Sequence, residues 1–291
     1  MAVFLTPDKV RNERGIEICE KILPSHLKPN HKLTSGKPQY VTIHNTADIR
    51  EAPGTNDAEQ YARSSHNGNM SGVSVHYYID ETGCWQLLKE DEMGFHAADG
   101  YGPGNGTSLA IEIIMDGSGS EEDVGAEERG VILAAALLKK HGLGIDRLTT
   151  HRHWYSGKYC PLYILPHWEK FRLAVNEYLE LPEGLTAEEV AEQVVAGRWG
   201  SGKERKRKLI FAGYDYAEVQ KLVTEKMDAL KRVLGDLDGD GEVTAADARI
   251  ALRAAVGMEI LSAEQIKSAD MDGDGKITAA DAREILRKAV A

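Results

Sequence analysis

The chain has 291 residues, 42% hydrophobic and 28% charged, with a formal net charge of −11, a length that suggests about two domains. The acidic balance argues against general nucleic-acid binding, and no run approaches the roughly 18 apolar residues that insertion into a membrane requires. Cys19, Cys84 and Cys160 are too few, and odd in number, to make a disulfide framework.

From the N-terminus, MAVFLTPDKVRNERGIEI lacks the basic start, apolar run and small-residue cleavage site of a secretory signal. Residues 39–45 (QYVTIHN) read as a buried strand rich in β-branched residues. Residues 57–66 read as a helix. Residues 73–80 (VSVHYYID) read as a strand, which ETG turns into a second one, CWQLLK. The Gly-rich stretch 93–108 reads as a loop, 109–115 (LAIEIIM) as a strand, 126–141 as a helix ending at Gly142, 149–165 as irregular and 166–180 as a helix. Strands mixed with helices predict an α/β domain over residues 1–181. Pro182 and Gly184 then break the chain, Thr186 with Glu189 makes a capping box, and three short helices follow within 186–230. Residues 198–208 carry six basic side chains against Glu204, room for a local contact with an acidic ligand. From 234 to 291 GDLDGDGEVTAADARIALRAAVG is echoed by ADMDGDGKITAADAREILRKAVA, an internal repeat.

Three residues have the chemistry of a catalytic metal site. His44 (VTIHNT), with His151 and Cys160 (TTHRHWYSGKYCP), could supply two imidazoles and a thiolate to zinc and leave a fourth position for water. Ten histidines leave this pairing open on spacing alone. The order VTIHNT, SVHYYID, FHAADGYGPGNGTSLAIEI, THRHWYSGKYCP over residues 37–168 resembles the phage-lysozyme type of N-acetylmuramoyl-L-alanine amidases, a family that includes the peptidoglycan recognition proteins. The resemblance implies a central mixed sheet flanked by helices. It puts the zinc ligands on His44, His151 and Cys160, a catalytic glutamate on Glu112 and an oxyanion-stabilising lysine on Lys158. His153 competes with His151, although the H-x-x-W spacing to Trp154 favours His151. Val75 stands where some members carry a tyrosine. Asn45, Thr46, His76, His96 and Asn105 are candidate substrate contacts along the groove. Members that only recognise peptidoglycan lack the zinc cysteine, which Cys160 supplies here.

Residues 186–228 resemble the CW-seven repeats of phage lysins, which bind cell wall. Trp199, Arg205 and Tyr214 are its candidate ligand contacts, since aromatic faces pack on sugars and arginine grips carboxylates. The final repeats place acidic oxygens at loop positions 1, 3, 5 and 12, with glycine at 6. These are Asp236, Asp238, Asp240 and Asp247, then Asp270, Asp272, Asp274 and Asp281, with backbone carbonyls from Glu242 and Lys276 at position 7. That spacing suits two calcium ions. Aspartate at position 12 followed by A-R-x-x-L-R resembles the dockerin module, a duplicated all-α EF-hand pair that docks on cohesins. Ala245, Ala246, Ala279 and Ala280 at the recognition positions make a bland surface, which leaves self-association or a calcium-folded cap as alternatives. Together these readings predict a modular lysin acting on bacterial peptidoglycan. It would be made in the cytoplasm without a signal peptide and reach the wall on release at phage lysis, with a host autolysin, a non-catalytic recognition protein and a cohesin-docked component as the other readings.

Overall fold

The computed structural model describes residues 5–46, 58–231 and 233–290. They fall into two compact units, 1–185 with 199–216 and 186–198 with 217–291. The strands are β1 (Lys9–Glu13), β2 (Ile16–Glu20), β3 (Tyr40–Asn45), β4 (Tyr77–Ile79), β5 (Cys84–Gln86), β6 (Ser108–Ile113) and β7 (Leu148–Thr150). The helices are α1 (Ala58–His66), α2 (Pro103–Thr107), α3 (Glu121–Lys140), α4 (His151–Trp154), α5 (Trp168–Leu179), α6 (Ala187–Val195), α7 (Gly202–Phe211), α8 (Tyr216–Lys231), α9 (Ala245–Ala255), α10 (Ala263–Ala269) and α11 (Ala279–Ala289).

In the first unit the strands form one sheet in the order β1-β2-β5-β4-β6-β3-β7. β1–β2 and β4–β5 are antiparallel and the other pairs parallel, so the expected mixed sheet is present. Alternating side chains divide the core between its faces. Ile43, Ile111 and Ile113 join Leu133, Leu137 and Phe171 of α3 and α5, while Tyr78, Trp85 and Ala110 join Ala58 and Ala62 of α1. Gly130 lets α3 lie close to the sheet, because a Cβ there would strike the Ile113 side chain.

Several boundaries differ from the sequence reading, and residue 57 of the helix expected at 57–66 lies outside the described residues. The β1–β2 hairpin was not among the expected elements. Its turn, Arg14 (φ 49°) and Gly15 (φ 92°), has the two left-handed residues of a tight hairpin. The strand expected at 73–80 pairs only over Tyr77–Ile79. The Gly-rich stretch expected to be a loop holds α2, which Pro103 opens at its first position. α3 starts five residues early, at Glu121 rather than 126. There the Ser120 hydroxyl accepts from the Asp123 amide, and three acidic side chains fill the first turn, where the helix dipole favours them.

The far end of α3 is tied down by charge. Glu90 accepts hydrogen bonds from Tyr77 Oη (2.7 Å), Lys140 Nζ (2.8 Å) and His141 Nε2 (2.8 Å). Burial alone would raise the Glu90 carboxyl, but these donors outweigh it and hold it at about 2. A carboxyl depressed in the folded state stabilises the fold above its unfolded value and loses that contribution as pH falls. Glu90→Gln is therefore expected to lose about 1.5–3 kcal/mol at pH 7 and to flatten the fall in melting temperature between roughly pH 5 and 2.5. Parallel melting curves for the two proteins would refute this.

The second unit is all helical among the described residues. α6 opens on the expected Thr186–Glu189 capping box. α9 and α11 pack together around Leu237, Ala251 and Ile285, and equivalent capping boxes, Thr244–Asp247 and Thr278–Asp281, open them.

Candidate metal centre

The parallel β3–β6 register sets His44 directly beside Glu112. α4 begins at His151 because Thr150 caps it, its hydroxyl accepting from the His153 amide at 3.2 Å. Trp154 Nε1 then donates to Thr42 Oγ1 at 2.9 Å, and Thr42 donates to Ser108 Oγ at 2.8 Å, which pins α4 to the sheet. The returning loop is closed by the Arg152 amide donating to the Cys160 carbonyl at 3.0 Å. His44 Nδ1 lies 3.8 Å from Cys160 Sγ, and one donor atom from each of His44, His151 and Cys160 falls within 4.8 Å of the others. The competing His153 is exposed and its ring packs on Trp154.

These three residues fit a zinc-type ion on the state of their own atoms. Among the described residues neither buried ring nitrogen of His151 makes a well-formed hydrogen bond, the Ala97 backbone being its one polar neighbour of note, and Glu112 Oε2 is buried without a partner; orphaned polar atoms of this kind call for an explanation. Burial, helped by His96, His151 and Lys158, holds the His44 imidazole well below its ordinary range. Burial and Lys158 bring His151 down to about 4. Both rings are therefore neutral and keep lone pairs. Burial and then Glu112 push the Cys160 thiol up to about 12, so a cation is what would make it a thiolate. Burial lifts the Glu112 carboxyl to about 8, against the pull of Lys158. Lys158 is exposed, and its charge is felt at His44, Glu112, His151 and Cys160 alike.

Residues 34–162 match the N-acetylmuramoyl-L-alanine amidase family, 188–227 the CW_7 repeat and 234–289 the dockerin type I domain. The chain carries an N-acetylmuramoyl-L-alanine amidase domain. The N-acetylmuramoyl-L-alanine amidase XlyB of Bacillus subtilis (strain 168) is 38% identical over 157 residues, which are 53% of this chain and 46% of that protein. XlyA of the same organism, also an N-acetylmuramoyl-L-alanine amidase, is 32% identical over 163 residues, 55% and 52% respectively. The chain thus spans about half the length of these curated relatives. Among solved structures, the catalytic domain of XlyA is 32% identical; the match covers 54% of this chain and 98% of that one, with a TM-score of 0.48.

Within the amidase domain three of the expected substrate contacts, Asn45, Asn105 and His76, spend their polar atoms on the backbone. Asn45 Oδ1 accepts from the Tyr163 and Ile164 amides (3.1 and 3.3 Å), and its Nδ2 donates to the Ile113 carbonyl (3.3 Å). It clamps the loop after Cys160 instead of facing a ligand. Asn105 Oδ1 accepts from the His96 and Ala97 amides (2.8 and 2.7 Å), while its Nδ2 donates to the Gly100 carbonyl (2.8 Å). His76 is fully buried, with Nε2 on the Glu92 carbonyl (2.9 Å) and Nδ1 accepting from the Ala110 amide (3.1 Å), so no ring nitrogen is left for substrate. His96 turns its Nδ1 to His44 Nε2 at 3.1 Å. Thr46 Oγ1 is buried without a partner among the described residues. Val75 is core. Sequence reasoning missed Thr42 and Asp99, and it read Trp154 only as a spacing marker for His151. Asp99 accepts from the Gly104 and Asn105 amides, and a Cβ on Gly104 would lie 2.7 Å from the Trp154 ring, so α2 seats against α4 only with glycine there.

Trp199, expected to stack on sugar, is 1% exposed and packs edge-on against Tyr214 at 5.8 Å. The Tyr214 hydroxyl donates to the Pro182 carbonyl and accepts from the Leu185 amide. Trp199 serves as core with the half-buried Tyr214 packed against it, because a small helical segment has few other large side chains to bury. Arg205 is half-buried, its Nε donating to the Gly200 carbonyl at 3.0 Å.

In the dockerin module Asp236, Asp238 and Asp247 converge within 4.8 Å, as do Asp270, Asp272 and Asp274. Asp240 accepts from the Glu242 amide and Asp274 from the Lys276 amide, the same turn in both loops. Asp247 and Asp281 at position 12 are buried and each caps the following helix through the amide and hydroxyl of Thr244 or Thr278. Asp240 and Asp281 stand outside these convergent groups.

Proposed function

We propose that the amidase domain is a zinc-dependent hydrolase that cuts bacterial peptidoglycan between N-acetylmuramic acid and L-alanine. The observation that carries this is the buried His44–His151–Cys160 cluster with Glu112 Oε2, unpartnered among the described residues, beside it. Zinc held there would make water nucleophilic near neutral pH and polarise the amide carbonyl. Glu112 Oε2 takes the proton of the attacking water and delivers it to the departing alanine nitrogen. The Lys158 ammonium offsets negative charge growing on the carbonyl oxygen. Thr42, Trp154 and Asn45 hold the ligand-bearing elements in register. The activity named for the relatives agrees with this reading.

Purified protein acting on peptidoglycan is expected to release alanine amino groups with no new reducing sugar ends. EDTA should stop the release and zinc restore it, and mass spectrometry of the fragments identifies the bond cut. New reducing ends would sink this reading, and wall binding without amine release would favour a recognition protein.

We propose further that each dockerin loop takes one calcium ion, supported by the repeated Asp236 and Asp270 clusters. Added calcium should raise the melting temperature of the C-terminal unit, and a double Asp236→Ala, Asp270→Ala variant should lose the shift; an unchanged variant would refute it. Leu252, Val256, Leu286 and Val290 take equivalent places in the two repeats and are exposed. They support docking of a cohesin or of a second copy. Wall attachment is assigned to the CW_7 repeat.

A further inference from the structure

His44 and His96 meet inside the amidase domain, 1% and 6% exposed. Their rings stand edge-on at 89° with centroids 5.1 Å apart, and His44 Nε2 is 3.1 Å from His96 Nδ1. A neutral imidazole has one N–H. The nitrogen of His44 that faces Cys160 is Nδ1, so this atom needs the bare lone pair if His44 is a ligand. The hydrogen must then sit on Nε2, and the atom waiting there is His96 Nδ1.

We propose that His96 is a positioning residue whose Nδ1 accepts the Nε2–H of His44, holding His44 in the tautomer and ring orientation that present Nδ1 to the metal. This rests on the reading that His44, His151 and Cys160 hold zinc. Metal-bound histidines usually lean on a carboxylate or a carbonyl. An imidazole acceptor fixes the tautomer without adding negative charge, so the Lewis acidity of a site that already has one thiolate is not lowered further. The fold holds His96 for this task. Its amide donates to Asn105 Oδ1 at 2.8 Å, and the preceding Phe95 amide donates to Ser74 Oγ at 2.9 Å. A Cβ on Gly94 would lie 2.6 Å from the Ser74 carbonyl. With Nδ1 accepting, the proton of His96 sits on the buried Nε2, and the Ser108 backbone is the group that favours a proton on this ring.

The test uses the full chain and reads zinc affinity, by competition with a chelating indicator, rather than turnover. His96→Leu should weaken zinc about 10- to 100-fold. His96→Asn, whose Oδ1 stands close to the position of Nδ1, should recover most of that loss. Long-range 15N–1H spectra of zinc-loaded, 15N-histidine-labelled wild type should show His44 protonated at Nε2 and His96 bare at Nδ1, a readout that does not depend on any variant folding. A proton on His96 Nδ1, a Leu variant that binds zinc as tightly as wild type, or an Asn variant no better than Leu would overturn the proposal. Wild type that takes up no zinc, or zinc binding that survives His44→Ala, would overturn the zinc reading itself and this proposal with it.

Discussion

Glu112→Gln should lower turnover on peptidoglycan by about a hundred- to ten-thousand-fold while zinc content and KM stay near wild type. The substitution keeps the shape of the side chain and removes its ability to carry a proton. Glu112 stands beside His44 through the β3–β6 register. Burial lifts its carboxyl to about 8, close to the pH where a base that must also give the proton back works best. Its Oε2, without a partner among the described residues, is placed to meet a water or an amide nitrogen. Zinc content measured alongside separates loss of the shuttle from loss of the site. Unchanged turnover with zinc in place would remove Glu112 from the mechanism.

Cys160→Ser is expected to abolish stoichiometric zinc and activity together. A serine hydroxyl does not ionise near neutral pH, so the site would keep two neutral imidazoles and no anionic ligand. The loss of affinity should exceed the roughly hundred-fold upper range for losing a residue that only supports a ligand. The fold should survive, because the main core around Ile43, Ile111 and Leu133 forms on the other face of the sheet, among α3 and α5. Circular dichroism and metal analysis of the same sample check both halves. A serine variant that holds one zinc per chain at wild-type affinity would show that Cys160 is not a ligand.

The metal cluster was legible through the resemblance of its short motifs to the amidase family, since ten histidines leave the pairing open on spacing alone, and the H-x-x-W spacing favours His151 over His153. The acidic loops were legible from spacing itself, each being one local run of twelve residues. The supporting residues were not. Asn45, Asn105 and His76 have the composition of ligand contacts, but each spends its polar atoms on backbone amides and carbonyls brought near by the fold. Trp199 has the composition of a sugar platform and is core instead. A polar or aromatic side chain does not reveal in sequence whether solvent or main chain will surround it.

By itself the sequence determined the kinds of donor atom available, the apolar, β-branched runs that make strands of β3 and β6, and the duplicated acidic loops. Only the tertiary structure decided that His44 turns Nε2 toward His96 and Nδ1 toward Cys160, that His151 is buried while His153 is exposed, and that Glu112 shares the face of His44. Donor chemistry and periodicity belong to single residues and near neighbours. Burial and hydrogen-bond partners depend on segments more than fifty positions apart meeting across one sheet.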